Sequence, residues 1–291
     1  MMAIDFQLGS YFTASIDVLD NRRNGPHSDP QAITCATAQT PGNRFAYAAE
    51  HGHITIVDPS TTETFFESSP GFQATSMTCS ADGVYLDISF NPIAESESGG
   101  EEHGRRYRWS DGSLVGERNS FSGPLAASKS SDSIAVSMWG DLQSDVAIGT
   151  WRDRSFQIQV GPKDVLPDLA HIEWSLRGDF IVLAGGNDWY WLDIRDSQTL
   201  EPVTQIIEVG EYQAEYSTLP PSASFSADGK TLLNAGVDGS VQYRRPDTGE
   251  ILDSTQARPA MITAFAAHPT ESATLVAYAD GVVLLADQQA K

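Results

Sequence analysis

His51-Gly52-His53 is the pair of side chains whose spacing comes nearest to a metal site, because residues i and i+2 of an extended chain point to the same side. Two imidazoles fall short of the three or four ligands that hold a zinc ion, and exposed histidines at a turn are the simpler reading. His27, His103, His171 and His268 stand singly, and His268 precedes Pro269 in a turn position. No Gly-x-Ser-x-Gly elbow, phosphate-cradling glycine loop or Cys-x-x-Cys pair occurs. Glu173 is a carboxylate among small and hydroxyl-bearing neighbours, and acid–base work would require a partner that the sequence does not name. Trp189-Tyr190-Trp191 could stack on a sugar or a flat ligand. Strand alternation instead buries Trp189 and Trp191 on one face and Tyr190 on the other. No catalytic residue, metal or cofactor is expected.

The elements that would position any such group recur along the chain. The clearest copy runs Ala223-Ser224-Phe225-Ser226-Ala227-Asp228-Gly229, Thr231-Leu232-Leu233-Asn234-Ala235, Asp238-Gly239-Ser240-Val241-Gln242-Tyr243, then Pro246-Asp247-Thr248-Gly249-Glu250-Ile251-Leu252. It reads as four short strands separated by Asp-Gly and Thr-Gly turns. On that register Cys35, Cys79, Ala127, Trp174, Phe225 and Phe265 share one position, at intervals of 44, 48, 47, 51 and 40 residues. The third strands end in Val57-Asp58, Trp109-Ser110, Trp151-Arg152, Leu192-Asp193, Tyr243-Arg244 and Ala286-Asp287, at intervals of 52, 42, 41, 51 and 43. A four-stranded repeat of this length is the signature of a β-propeller, since one sheet buries both faces only when neighbours stack on it. The expected fold is therefore all-β: a propeller of four-stranded antiparallel blades, six in number, with seven as the alternative.

The same repeat predicts a single domain over residues 1–291, with repeats at about 33–73, 74–122, 123–167, 168–219, 220–258 and 259–291. The last repeat lacks a fourth strand. Ile4–Leu8 or Tyr11–Leu19, within the N-terminal segment 1–32, is expected to pair with the last blade and close the ring, removing a sheet edge.

With 18 Lys and Arg against 39 Asp and Glu, the net charge of −21 repels nucleic acid and anionic membranes. Solubility is the simpler reading of that acidity, and a surface for a basic partner is the sharper one. No stretch approaches the roughly 18 apolar residues of a membrane span, and Met1–Phe6 lacks the basic start of an export signal, so a soluble, cytoplasmic chain is expected. Cys35 and Cys79 fall on first strands, where they would pack as small apolar residues rather than form a disulfide.

Asp238 to Leu252 resembles the WD40-repeat family, whose units run aspartate, glycine, an alternating strand, Trp-Asp and a Thr-Gly turn. Tyr243-Arg244 stands where Trp-Asp is the family pattern, and no repeat carries the family's Gly-His dipeptide in its usual place. The resemblance implies a rigid platform for protein partners. Two insertions interrupt the repeats: the acidic, glycine-containing stretch Asn91 to Arg105, and Glu211 to Pro221 with its two tyrosines. One loop face would gather Tyr212, Tyr216, Phe121, Phe72, Trp139, Arg22, Arg23 and Arg258, aromatic and arginine side chains of the kind that anchor interfaces. The expected function is a non-catalytic protein–protein interaction scaffold, by itself or as a subunit of a larger complex. The alternative is a propeller enzyme, or a protein binding a small ligand or metal at the mouth of the central channel through Glu173 and the histidines.

Overall fold

The computed structural model describes residues 33–38, 45–49, 53–57, 64–67, 72–92, 103–119, 121–139, 144–165, 169–186, 190–208, 223–226, 228–236, 238–257, 262–267, 273–278 and 283–287. The expected closing strands Ile4–Leu8 and Tyr11–Leu19 lie outside them. The described residues contain strands and turns and no helix. Strands β1 (Ile33–Ala38), β2 (Phe45–Ala49), β3 (His53–Val57) and β4 (Thr64–Glu67) form the first sheet. Strands β5 (Phe72–Cys79), β6 (Tyr85–Pro92), β7 (His103–Arg108) and β8 (Leu114–Asn119) form the second. The third holds β9 (Phe121–Ala127), β10 (Ile134–Trp139), β11 (Ser144–Arg152) and β12 (Ser155–Asp164). The fourth holds β13 (Leu169–Trp174), β14 (Phe180–Gly185), β15 (Tyr190–Asp196) and β16 (Pro202–Glu208). The fifth holds β17 (Ala223–Phe225), β18 (Leu232–Ala235), β19 (Val241–Arg244) and β20 (Ile251–Ser254), and the sixth β21 (Ile262–Ala267), β22 (Ala273–Tyr278) and β23 (Val283–Asp287). In every sheet, neighbours in space are neighbours in sequence.

The first hairpin closes in the same way six times. The last residue of the first strand faces the first or second residue of the second strand at Ala38↔Phe45, Cys79↔Leu86, Ala127↔Ile134, Trp174↔Ile181, Phe225↔Leu232 and Ala267↔Thr274, each pair seven residues apart. This register corrects two of the expected positions: Ala38 replaces Cys35, and Ala267 replaces Phe265. The intervals become 79 − 38 = 41, 48, 47, 51 and 267 − 225 = 42. A bulge at Thr34, Thr75, Ala170 and Thr263, each four residues before its strand ends, recurs in four of the first strands, including the two whose positions match expectation. The two corrections arise instead because Cys35-Ala36 and Phe265-Ala266 resemble Cys79-Ser80 and Phe225-Ser226 in sequence while their strands run two or three residues further.

Serine and aspartate lock the turns between first and second strands. In the fifth sheet Ser226 Oγ donates to Asp228 Oδ1 at 2.8 Å, while the backbone N–H groups of Thr231 and Lys230 donate to Ser226 Oγ and Asp228 Oδ1, both at 3.0 Å. Ser80 and Asp82 repeat the arrangement in the second sheet, while in the fourth Ser175 Oγ donates to Asp179 Oδ1 and accepts from the backbone N–H groups of Asp179 and Phe180. Gly229 follows with φ near 68°, a conformation that costs a residue without Cβ nothing.

The contacts gather the chain into two compact units, Met1–Ser120 with Asp153–Ser155, and Phe121–Arg152 with Phe156–Lys291. In the first, Ala46, Ile54 and Ile56 of the first sheet pack on Met77, Leu86, Ile88, Phe90, Tyr107 and Trp109 of the second. In the second unit, Ala126, Val146 and Ile148 of the third sheet meet Ile172, Trp174, Ile181 and Trp191 of the fourth. The opposite face of the fourth, with Val182, Tyr190, Leu192 and Ile194, meets Ala223, Phe225 and Leu232 of the fifth. Leu233 and Val241, on the other face of the fifth, meet Ile262, Val276 and Tyr278 of the sixth. Stacking on both faces is why the second strands carry near-continuous apolar runs instead of alternating with polar residues. Trp191 and Tyr190 fall on opposite faces, as alternation requires, and both are buried.

Candidate functional site

Across the six first strands, thiols aside, His171 and Glu173 of β13 are the only ionisable side chains. Their neighbours are small, apolar or hydroxyl-bearing because adjacent sheets crowd there. Glu173 does not project free. Its Oε1 accepts a hydrogen bond from the backbone N–H of Phe225 at 3.0 Å and from Ser224 Oγ at 3.1 Å, both on β17 of the next sheet. On the other side, Trp174 Nε1 donates to the backbone carbonyl of Ala126 in β9 at 2.8 Å. One two-residue step along β13 therefore joins its sheet to both neighbours. Oε2 of Glu173 remains 3.7 Å from Nε2 of His171, with both side chains about 30% exposed.

Buried arginines organise the ends of the third strands. Arg195 pairs with Asp193 at 2.7 Å through Nη2 and donates from Nη1 to the carbonyl of Leu200 at 3.1 Å. Arg244 donates to Asn234 Oδ1, Gln242 Oε1 and the carbonyl of Gly249. The Tyr243-Arg244 pair thus carries a structural ion in place of an acidic residue: its guanidinium ties the third strand to the following turn. Arg106 makes a two-pronged pair with Asp87 at 2.8 Å across β6 and β7. Guanidinium fits such sites because its planar fork satisfies several acceptors at once.

The third-strand register also departs from expectation. The residues facing the start of the second strand are Val57, Tyr107, Gly149, Arg195, Arg244 and Ala286. Trp109 stands beyond the end of β7, where its Nε1 donates to the carbonyl of Tyr85 at 2.9 Å, and Leu192-Asp193 sits in mid-strand.

Among the expected partner-binding residues, Phe121 lies at the start of β9 and is 2% exposed. Its ring packs edge-on against Phe156 at 5.0 Å and Trp151 at 6.2 Å, so it is a core residue, where a loop-face ring was expected. Phe72 opens β5 half-buried, edge-on to His103 at 4.4 Å. His103 in turn stacks on Phe90 at 5.3 Å, with Arg105 over the far ring. Trp139 ends β10 opposite Ser144. Tyr212, Tyr216, Arg22, Arg23 and Arg258 lie outside the described residues, as do His51 and residues 93–102 of the acidic insertion. The rest of that insertion, Asn91 and Pro92 with His103 to Arg105, belongs to β6 and β7. Cys79 is buried, and its thiol donates to the carbonyl of Ser80 at 3.4 Å.

The described chain is thus an all-β protein of four-stranded antiparallel sheets. No protein-family model matches it, and no curated protein matches it in sequence. Its fold is similar to that of a chain in the crystal structure of a mitotic checkpoint complex, with a TM-score of 0.64 and 13% identity over 84% of this chain and 72% of that one. In all, 1451 solved chains are similar, so the fold is a common one and its likenesses speak for architecture, not for activity.

Proposed function

We propose that this chain is a WD40-like β-propeller of six blades, one domain over residues 1–291, that serves in the cytoplasm as a non-catalytic scaffold for protein partners. The observation that carries this reading is the six-fold recurrence of one hairpin closure in sheets whose faces are spent on one another. Such sheets leave loops and turns as the surface free to meet another molecule. The likeness to a chain that was crystallised within a multiprotein complex favours protein as the partner. The charge of −21 disfavours nucleic acid and anionic lipid and favours a basic protein surface.

Contacts are assigned to Tyr212 and Tyr216, with Arg22, Arg23, Arg258, Trp139 and the half-buried Phe72 around them; Phe121 belongs to the core. Crosslinking capture from native extract, comparing the wild-type chain with a Tyr212→Ala, Tyr216→Ala double variant, tests the assignment. A partner recovered with the wild type and depleted at least tenfold with the variant supports it. Equal recovery moves the contact surface elsewhere, and recovery of nothing but nucleic acid overturns the scaffold reading.

A further inference from the structure

Five large apolar side chains stand well exposed among the described residues, and all five lie at the same end of their sheets. Val84 sits in the turn between β5 and β6, Leu114 opens β8, Val203 is the second residue of β16, and Ile251 and Leu252 open β20. In a sheet of consecutive antiparallel strands the first-to-second and third-to-fourth turns share one end, and the second-to-third turn takes the other.

Three fourth strands also carry a bulge at this end. The ladder passes over Val115 between Leu114 and Gly116, Val203 between Pro202 and Thr204, and Leu252 between Ile251 and Asp253. A bulge requires no apolar side chain, and Val203 and Leu252 remain 39% and 45% exposed, so packing within the chain does not account for them. In the fourth and fifth sheets the two bulged segments are neighbours. A Cβ on Gly249, two residues before Ile251, would stand 2.9 Å from Thr204 Cγ2 and 3.1 Å from Ile206 Cδ1 of β16.

The rim of this apolar strip is acidic. Glu201 and Glu250 are paired with Lys163 at 2.8 Å and Arg245 at 3.0 Å, while Asp247 and Asp253 are exposed and meet no basic side chain among the described residues. Exposed apolar side chains with a charged rim mark a contact surface, and the sign of the rim selects a basic partner. A net charge of −21 opposes a second copy of this chain. Bulges turn a sheet edge away from strand addition, which leaves a helix as the form that can lay an apolar stripe on the strip.

We propose that Val203, Ile251 and Leu252 dock a basic amphipathic helix of a partner protein, whose Lys or Arg side chains face Asp247 and Asp253. The inference rests on the scaffold reading and adds a second contact surface, at the end of the sheets opposite the second-to-third turns.

The probe is a fluorescent peptide of leucine and lysine at helical spacing, titrated into the full-length chain and read by anisotropy. One peptide per chain is expected. Ile251→Ser, Leu252→Ser should weaken binding by about tenfold or more, and so should replacing the peptide's leucines by serine at unchanged charge. Asp253→Asn should weaken it chiefly at low salt. Thermal unfolding confirms that the double variant is folded, with Val203→Ser as the substitute if it is not. Equal affinity for the two peptides, or for wild type and the double variant, overturns the proposal. Tyr212→Ala, Tyr216→Ala should bind the probe as wild type does; a loss there overturns the site while leaving the scaffold reading intact. A dimer in ultracentrifugation that Ile251→Ser, Leu252→Ser abolishes also overturns it, by making a second copy the occupant.

Discussion

Glu173 reaches 52 positions along the chain to Phe225, accepting the hydrogen bond of its backbone N–H at 3.0 Å, so one side chain performs between sheets what ladders perform within them. The bond ends a first strand that has no room for another partner, since Phe225 and Ser224 are both buried.

Glu173→Ala removes the acceptor and leaves two buried donors unpaired. A loss of about 1–3 kcal/mol is expected, the cost of an unsatisfied buried polar group. Glu173→Gln should recover most of it. Urea unfolding curves decide the matter, and a Glu173→Ala midpoint equal to wild type would show that the joint contributes nothing.

Removing one half of a buried ion pair is worse than removing both. Asp193→Ala alone removes the carboxylate from the buried Arg195 guanidinium and should cost about 3–5 kcal/mol. The Asp193→Leu, Arg195→Met double variant should be far less damaged. A double-mutant cycle in which the two losses simply add would argue that the pair does not interact.

Gly149 lies flat against the neighbouring strand β12. A Cβ there would stand 2.5 Å from the carbonyl oxygen of Gln157 and 2.6 Å from the Phe156 ring. Gly149→Ala is expected to destabilise by about 1–3 kcal/mol through overpacking, although alanine is the better strand former. Calorimetric melting of the variant checks the sign, and an unchanged or raised Tm would refute the close approach.

Asp228 and Asp238 contribute to the loss of stability in acid. The backbone N–H of Lys230 and then the Ser226 hydroxyl hold the Asp228 carboxyl below its usual range, and the hydroxyl of Ser240 does the same for Asp238. A carboxyl lowered in the folded state contributes stability above its unfolded value, near about pH 4, and loses that contribution as pH falls through the folded value. Unfolding free energy should therefore decline below about pH 4, and Asp228→Asn should flatten part of that decline. A variant whose acid limb matches wild type would remove Asp228 from the account.

How far the sequence disclosed this depends on whether a feature is local. The repeat was legible because strands buried on both faces keep apolar runs, and Asp228-Gly229 and Thr248-Gly249 mark turns within a few residues. Register is less legible where local cues mislead. Cys35-Ala36 imitates Cys79-Ser80, yet β1 runs on to Ala38, which is the residue that faces Phe45. Ser122-Gly123-Pro124 looks like a loop around Phe121, but β9 runs through it with a bulge opposite Val136 and Met138. Glu173 stood out by its charge. The donors from Ser224 and Phe225 could not be read, since they arise from packing between sheets.

Because every ladder joins consecutive strands, the loops that must close before a sheet can form are short. Chain entropy then opposes assembly far less than in β-proteins knitted from distant strands. The fourth sheet can form once Leu169 to Glu208 have left the ribosome, without waiting for residues made later. Its link to Phe225 must come afterwards, so Glu173 acts late: its loss should quicken unfolding and leave the rate of refolding nearly unchanged.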